Sequence, residues 1–197
     1  LAIQEEDDDQ FMLYLNEGFD DTGDPIFEQV YTFYRSYGDI SASRIIAISD
    51  YDNDGDQDVY VGRKYGYNWF FENQTLTGTP GNVTYHSNPE PFFIEKAVQL
   101  GIADPEVNEI GSMGYGAAWG DYDNDQDFDL YLANWGVNRL YNNNANNFTN
   151  VAETQNLESE ELSNGVSWGD YNNDGLLDLW TSNIRNPDDV YINMGDE

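Results

Sequence analysis

The sequence contains no cysteine, a single histidine and only 7 Lys and Arg residues. The missing cysteines exclude a disulfide scaffold, a thiolate zinc site and thiol catalysis. The single histidine, His86, stands in a polar stretch and is predicted to be a surface residue. With 38 Asp and Glu the formal charge is −31, which argues against nucleic acid or an anionic membrane as partner. The longest apolar run, residues 11–15, is far below the ~20 residues that span a bilayer.

The sequence does contain enough apolar material for a folded core. Of its 197 residues, 39% are apolar and 15% are aromatic, which argues against a disordered chain despite the charge. The first residues do not resemble a signal peptide, and Leu1 is not an initiator methionine. We therefore expect a processed chain or part of a longer one.

Internal repeats organise the sequence. Three acidic segments align without gaps and begin at Asp50, Asp121 and Asp170. Each is followed by a second signature, which ends in Asn73, Asn143 or Asn193 after 23, 22 and 23 residues respectively. A constant offset indicates one structural unit used three times.

The runs between the turn residues are short and rich in β-branched and aromatic residues, which is typical of strands. Predicted strands include residues 45–49, 58–61, 129–133, 178–181, 93–97 and 148–151, with a short helical turn near 94–100. About four strands in each ~50-residue unit predict an all-β fold, a β-propeller-like array of four-stranded antiparallel blades that is incomplete or open. The predicted units are a partial blade at 1–42 without an acidic loop, complete blades at 43–102 and 103–157, and a blade lacking its last strand at 158–197. Residues 74–91 are predicted to be a long surface loop, and residues 13–16 a fourth copy of the second signature.

Each acidic loop places oxygen ligands at alternating positions. Side chains at positions 1, 3, 5 and 9 and the backbone carbonyl at position 7 can surround a hard cation that prefers 6–8 oxygens, which favours Ca²⁺ over Mg²⁺. The candidate ligands are Asp50, Asp52, Asp54, Asp56 and Asp58; Asp121, Asp123, Asp125, Asp127 and Asp129; and Asp170, Asn172, Asp174, Leu176 and Asp178. We therefore expect three calcium sites. An EF-hand is rejected because position 12 is Val61, Leu132 or Thr181 instead of a glutamate.

Position 6 of each loop is predicted to have a positive φ angle. It is glycine in two loops, Gly55 and Gly175, but Gln126 in the second. A side chain in that conformation is expected to cost about 1 kcal/mol of strain.

The order of these motifs resembles FG-GAP/VCBS-type repeats, as found in integrin alpha-subunit propellers and in cartilage acidic protein-like proteins. The resemblance rests on residues 116–125, 129–134, 138–143 and 148–152 and on their counterparts. It implies β-propeller blades with Ca²⁺ in the hairpin loop between the first two strands of each blade. The sequence departs from the pattern at Gln126, at Asn172, at Ile48 where the other repeats have tryptophan, and in the insertion at 74–91.

These features favour a secreted or cell-surface, non-enzymatic protein with a structural, adhesive or self-assembling role. The alternative is a carbohydrate-binding module or the propeller portion of a secreted polysaccharide-acting enzyme. Expected partners are a protein, or further copies of the chain meeting through open blade edges, and a glycan remains open.

Other residues have simpler interpretations. The five tryptophans are expected to pack in the core rather than to form a sugar-stacking platform; they are Trp69, Trp119, Trp135, Trp168 and Trp180. The acidic residues 5–9 are expected to form a solvated turn instead of a metal site. Sequons begin at Asn73, Asn82 and Asn147, but such triplets also arise by chance in an Asn-rich chain.

Overall fold

The structure is a computed structural model that describes residues 2–5, 10–34, 43–64, 66–79, 82–86, 92–104, 113–159 and 161–195. It divides into two compact units, Leu1–Ile40 and Ser41–Glu197. Most of the predicted acidic turn at 5–9 lies outside the described residues. In the described part of the chain, no helix is long and apolar enough to cross a membrane.

The N-terminal unit is a three-stranded antiparallel sheet. Its strands are β1 (Ala2–Glu5), β2 (Gln10–Phe19) and β3 (Pro25–Tyr34), in that order. The turn between β2 and β3 forms because the Asp20 carboxylate accepts the backbone N–H groups of Thr22 and Asp24, at 2.8 and 2.9 Å. The signature at residues 13–16 lies inside β2, which pairs with strands on both of its sides.

The second unit contains a four-stranded antiparallel sheet for the first acidic repeat. Its strands are β4 (Ser43–Ser49), β5 (Asp58–Arg63), β6 (Trp69–Asn73) and β9 (Phe93–Glu95), in spatial order. A single helical turn, α1 (Ala97–Leu100), follows β9 and ends at Gly101, whose φ of 76° places it in the left-handed region. The predicted strands and helical turn are therefore confirmed, with strand ends shifted by one or two residues.

The segment predicted as a surface loop at 74–91 contains a β-hairpin. Strands β7 (Leu76–Thr79) and β8 (Asn82–Tyr85) pair antiparallel and form their own two-stranded sheet. The loop prediction was wrong here because the hairpin contributes to no core. Its residues 82–86 are all exposed, so the apolar alternation that marks a half-buried strand is missing.

The second and third acidic repeats form two further sheets. The second repeat has four strands, β10 (Met113–Gly120), β11 (Asp129–Trp135), β12 (Arg139–Asn144) and β13 (Asn147–Asn150). The third has three, β14 (Ser163–Gly169), β15 (Asp178–Asn183) and β16 (Asp189–Tyr191). All pairings are antiparallel, and the predicted all-β array of open, propeller-like blades is confirmed.

The core lies between neighbouring sheets. Strand β10 packs against β4 and β5, and β14 packs against β10 and β11. Trp119 packs edge-on against the buried Tyr60 ring, with centroids 6.4 Å apart, and Trp168 packs in the same way against Tyr131 at 6.2 Å. Gly116 allows a close approach, since a Cβ atom there would lie 3.0 Å from the Cα atom of Gly165.

The predicted core role of tryptophan holds for Trp119 and Trp168. It does not hold for Trp180, which occupies the position of Tyr60 and Tyr131 in the third repeat and is 42% exposed. Within the described part of Ser41–Glu197, the main contacts of β15 are with its own neighbours β14 and β16. His86 is exposed, as predicted.

Candidate metal centres

Each acidic loop connects the first two strands of its sheet. The closing residue pairs of the three hairpins are Ser49 with Asp58, Gly120 with Asp129 and Gly169 with Asp178. The loop residues between them are Asp- and Asn-rich because such side chains accept hydrogen bonds from backbone N–H groups a few residues ahead. The hairpin position of the loops that the resemblance implies is therefore the observed one.

The three loops share the same tight turn. The position 1 carboxylate accepts the N–H of position 6 at 3.0, 3.1 and 3.0 Å in the three loops. Position 6 has a positive φ in all of them, 103° at Gly55, 78° at Gln126 and 90° at Gly175. The predicted left-handed conformation is thus confirmed, including the strained glutamine.

Carboxylates converge in the first two loops. Asp50, Asp52 and Asp54 each offer one oxygen, and these oxygens lie within 4.8 Å of one another. Asp121, Asp123 and Asp125 form the same arrangement in the second loop. Such a group of like charges repels itself unless a cation or bound protons neutralise it.

A buried, unpartnered oxygen marks each of these two clusters. The Oδ1 atoms of Asp50 and Asp121 are buried and have no hydrogen-bond partner in the described structure. Leaving a buried acceptor unpaired is costly, so such atoms call for a ligand. Oxygens that converge on a point and carry negative charge suit a hard divalent cation, and both clusters can hold one.

The third loop has no such cluster of three carboxylates, because position 3 is Asn172. The Asn172 amide donates to the Asp174 carboxylate at 2.8 Å, so the two side chains satisfy each other. Both Asp170 oxygens accept backbone N–H groups, from Asp174 and Gly175. The third loop therefore has the same backbone turn as the first two loops. It carries one carboxylate fewer at the side-chain ligand positions, and both oxygens of its position 1 aspartate already accept hydrogen bonds.

The aspartate at position 9 also fastens the loop to the third strand of its sheet. Asp129 is fully buried, and its two oxygens accept the N–H groups of Tyr122 and Asn143 at 3.0 and 2.8 Å. Asp58 and Asp178 make the corresponding pairs of hydrogen bonds in their repeats. The position 9 carboxylate is thus a candidate ligand that also links its loop to the signature asparagine, and we call this pair of hydrogen bonds the bracket. The ligand spacing alone did not indicate the bracket.

The position 7 side chains have a related role in the first two loops. One carboxylate oxygen of Asp56 accepts the N–H of Leu76 at 2.6 Å, while its Oδ1 is buried and unpartnered. Asp127 accepts the N–H of Ala145 at 2.7 Å. Leu176 takes this position in the third loop and has no carboxylate for such a bond.

The asparagine that ends each second signature ties neighbouring repeats together. The Asn143 amide donates to the Tyr51 carbonyl of the first loop at 3.1 Å, and the Asn193 amide to the Tyr122 carbonyl of the second at 2.8 Å. Each also donates to a carbonyl of its own loop, Phe128 or Leu177. The fixed sequence offset between loop and asparagine was visible in the sequence, but the partner in the preceding repeat was not.

Burial and mutual repulsion raise the pKa of several loop carboxyl groups in the cation-free protein. Burial is the main cause and the charges of neighbouring carboxylates add to it, while hydrogen bonds from backbone N–H groups act in the opposite direction. The pKa rises to about 9 for Asp58, about 7 for Asp52 and Asp129 and about 6 for Asp56. Near neutral pH the groups with a pKa of about 7 or higher are at least partly protonated, and a bound cation would have to displace those protons.

A second cluster of charges lies beside the first loop. The Tyr51 hydroxyl donates to Glu72 at 2.5 Å, and Lys96 forms an ion pair with the same carboxylate. Burial raises the pKa of Glu72, but the hydrogen bonds from Lys96, Tyr51 and Gln74 outweigh it, so the pKa is lowered. Glu72 therefore stays charged and anchors the buried Tyr51 ring at position 2 of the loop.

The comparisons with known proteins agree with this repeat architecture. A family model described as FG-GAP-like repeat matches residues 108–181. The match covers the second repeat from before β10 and continues through the third acidic loop into β15. A search of curated proteins finds no significant match. The paired acidic hairpins and the recurring sheets agree with this match, so the segment of residues 108–181 is similar to an FG-GAP-like repeat and supports an FG-GAP-type repeat architecture.

Proposed function

We propose that the chain is a calcium-stabilised, non-enzymatic repeat protein with an extracellular structural or adhesive role. The observation that carries the calcium assignment is the buried, unpartnered Oδ1 atom of Asp50 and of Asp121 within its carboxylate cluster. Oxygen-only ligands at alternating loop positions suit Ca²⁺ better than Mg²⁺, which requires near-ideal octahedral geometry and keeps its waters.

The repeat family supports the extracellular setting, because FG-GAP repeats are typical of extracellular proteins and often bind Ca²⁺. Extracellular calcium modules work at dissociation constants of about 0.1–1 mM. Binding energy at loops that connect sheets becomes folding energy, so calcium would act here as a cross-link. A chain without cysteine has no disulfide to serve that purpose.

Calorimetric titration of the calcium-free protein tests the assignment. We expect three bound ions, one for each acidic loop, with proton release on binding because several ligand carboxyls are protonated beforehand. The variant Asp50→Asn with Asp121→Asn serves as a control and should lose two of the three. Heat indistinguishable from dilution would refute the proposal.

The third site should be the weakest. Asn172 supplies no charge, and its amide group already pairs with Asp174. The variant Asn172→Asp adds a fourth ligand carboxylate to the third loop and should strengthen calcium binding there by about tenfold or more. Calorimetry compares it with Asn173→Asp, which adds a charge at position 4, outside the ligand positions. Equal gains for both variants would show that net charge, rather than ligation, is responsible.

Stability should depend on pH with opposite signs in the two metal states. In the calcium-free protein the pKa values of Asp52, Asp58 and Asp129 lie above the unfolded value near ~4, so the folded state binds more protons. Stability is then highest at low pH and falls as the pH rises through about 7 to 9. Saturating calcium holds the carboxylates ionised, so stability should instead fall as the pH drops toward ~4. Urea midpoints between pH 5 and 9 in both buffers measure this, and parallel curves would contradict it.

Glycan binding is the second candidate, favoured by the exposed Trp180, which pairs across the sheet with the exposed Val190. An exposed aromatic face can stack on a sugar ring. Glycan-array binding that is lost in Trp180→Ala would support this role, and calcium-dependent cleavage of a bound polysaccharide would establish an enzyme instead. Tyr171→Ala, at another exposed aromatic residue of the same repeat, is the matched control.

A further inference from the structure

Two hydrogen bonds join the first acidic loop directly to the second. Asn53, at position 4 of the first loop, donates from its side-chain amide to the Gln126 carbonyl at 3.1 Å and to the Asp127 Oδ1 atom at 3.2 Å. These acceptors are at positions 6 and 7 of the second loop. The other oxygen of Asp127 accepts the Ala145 N–H, so position 7 is held both by its own sheet and by the first loop.

The acceptors of Asn53 belong to the part of the second loop that orients its carboxylates. The Gln126 carbonyl accepts from Asn53, and the N–H of the same peptide group, which belongs to Asp127, donates to a carboxylate. That carboxylate is Asp125, at 2.9 Å, one of the three in the second cluster. The Gln126 N–H donates to a second member of the cluster, Asp121, at 3.1 Å. A single peptide group therefore connects the first loop to a candidate ligand of the second.

On the first loop, Asn53 stands between two candidate ligands. Asp52 precedes it and Asp54 follows it, and both belong to the first carboxylate cluster. Without a cation, repulsion between these carboxylates opposes the arrangement in which their oxygens converge. A cation that fixes Asp52 and Asp54 therefore also fixes the backbone that carries the Asn53 amide.

The second and third loops lack this connection among the described residues. Asn124 is at position 4 of the second loop and has a φ of 60°, close to the 57° of Asn53. Within the described part of the chain, no hydrogen bond joins its side chain to the third loop. Position 7 of the third loop is Leu176, which has no carboxylate to accept one. Asn124 therefore offers a matched control for Asn53.

We infer that the first two calcium sites are positively cooperative and that Asn53 is the positioning residue that couples them. Calcium at the first loop fixes the Asn53 amide, which in turn holds the peptide group that orients Asp125 for the second ion. The coupling is reciprocal, so an ion in the second loop strengthens binding at the first by the same factor. This inference describes the regulation of the proposed calcium sites and rests on that proposal.

Charge effects alone would give the opposite sign. A bound divalent cation reduces the negative charge that attracts the next cation, which makes neighbouring sites anticooperative. Salt at about 0.15 M screens such effects over about 8 Å. Positive coupling at this salt concentration is therefore the signature of the contact between the loops.

An NMR titration with calcium at this salt concentration measures the coupling. The amide signals of Gly55 and Gln126, at position 6 of the two loops, report the occupancy of each site separately. Asp121→Asn disables the second site while Gly55 reports the first, and Asp50→Asn gives the reverse experiment. Fitted together with the unmodified chain, both should give the same coupling factor. We expect about five- to tenfold, low in the range for coupled sites because the contact is one partly buried amide.

Two glycine variants test the role of the amide. Asn53→Gly removes it at a positive φ that glycine adopts without strain, and the coupling factor should fall to about one or below. Asn124→Gly makes the same change in the second loop and should leave the factor unchanged. Calcium binding at the third loop checks that each variant is folded.

Three results would overturn the inference. They are a factor of one or below in the unmodified chain, an unchanged factor in Asn53→Gly, and an equal loss in Asn124→Gly. Bound calcium without coupling refutes this inference alone. Absence of any calcium binding refutes the calcium proposal as well, so the two failures are distinguishable.

Discussion

Removing calcium is expected to lower the melting temperature of this protein by well over 10 °C. A ligand that binds only the folded state at a hundredfold excess over its dissociation constant stabilises it by about 2.7 kcal/mol per site. For a chain of this size each kcal/mol corresponds to a shift of roughly 2–4 °C, so each saturated site contributes roughly 5–10 °C. Saturation of the sites in the first two loops would by itself account for the expected shift in melting temperature.

The effect should reach the core because the loops are tied to it. The Tyr51 and Tyr122 carbonyls of the first two loops accept hydrogen bonds from Asn143 and Asn193 of the next repeat. Tyr51 is itself part of the buried cluster between the first two sheets. Repulsion among unneutralised carboxylates therefore strains the interface between repeats as well as the loop.

Scanning calorimetry with and without a chelator measures this shift, with excess Mg²⁺ as the control for ionic strength and charge. The double variant Asp50→Asn with Asp121→Asn removes one charge from each of the first two clusters. Without calcium it should melt higher than the unmodified chain, since repulsion is reduced, and it should respond much less to added calcium. A melting temperature that is the same in chelator and in calcium would contradict the prediction.

Replacing the buried bracket at Asp129 is expected to have the second largest effect. Asp129→Ala leaves the N–H groups of Tyr122, in the acidic loop, and of Asn143, in β12, without their acceptor. An unsatisfied buried donor costs about 1–3 kcal/mol. Because the Asn143 bond is buried and the Tyr122 bond only partly buried, we expect a loss of about 2–5 kcal/mol in the free energy of unfolding. Urea denaturation in excess calcium measures the loss.

Asp125→Ala is the matched control for the bracket. Asp125 is a candidate ligand of the same loop but is exposed, and the one backbone N–H that it accepts, from Asp127, is exposed as well. Its removal therefore weakens the cation site without the loss of the two bonds to Asp129. The difference between the two variants in the free energy of unfolding separates the contribution of the bracket hydrogen bonds from that of cation ligation. If both lose the same free energy, Asp129 acts only as a ligand and the bracket contributes nothing measurable.

The sequence by itself determined the repeats, the hairpin loops and most strands. Turn chemistry is local, because Asp50 bonds the backbone five residues ahead and Gly55 adopts its positive φ without strain. The strands on each side alternate or cluster apolar residues in short runs, and a period seen three times reinforces each assignment. The carboxylate clusters of the first two loops follow from the same spacing, since alternate residues of a tight turn bring their side-chain oxygens together.

Only the tertiary structure decided which atoms meet across repeats. The bond from Asn143 to Tyr51 joins residues 92 positions apart, and no local pattern encodes that partner. Burial is likewise a property of the assembled sheets, which is why Tyr131 is fully buried while Trp180, at the same position of its repeat, is 42% exposed. The hairpin of β7 and β8 escaped notice because it packs on no core and so needs no apolar period. Packing and hydrogen bonds between distant residues therefore decided which side chains are buried and which backbone groups the position 9 aspartates bind, because burial and partner choice depend on the neighbouring strands and sheets and not on the adjacent sequence.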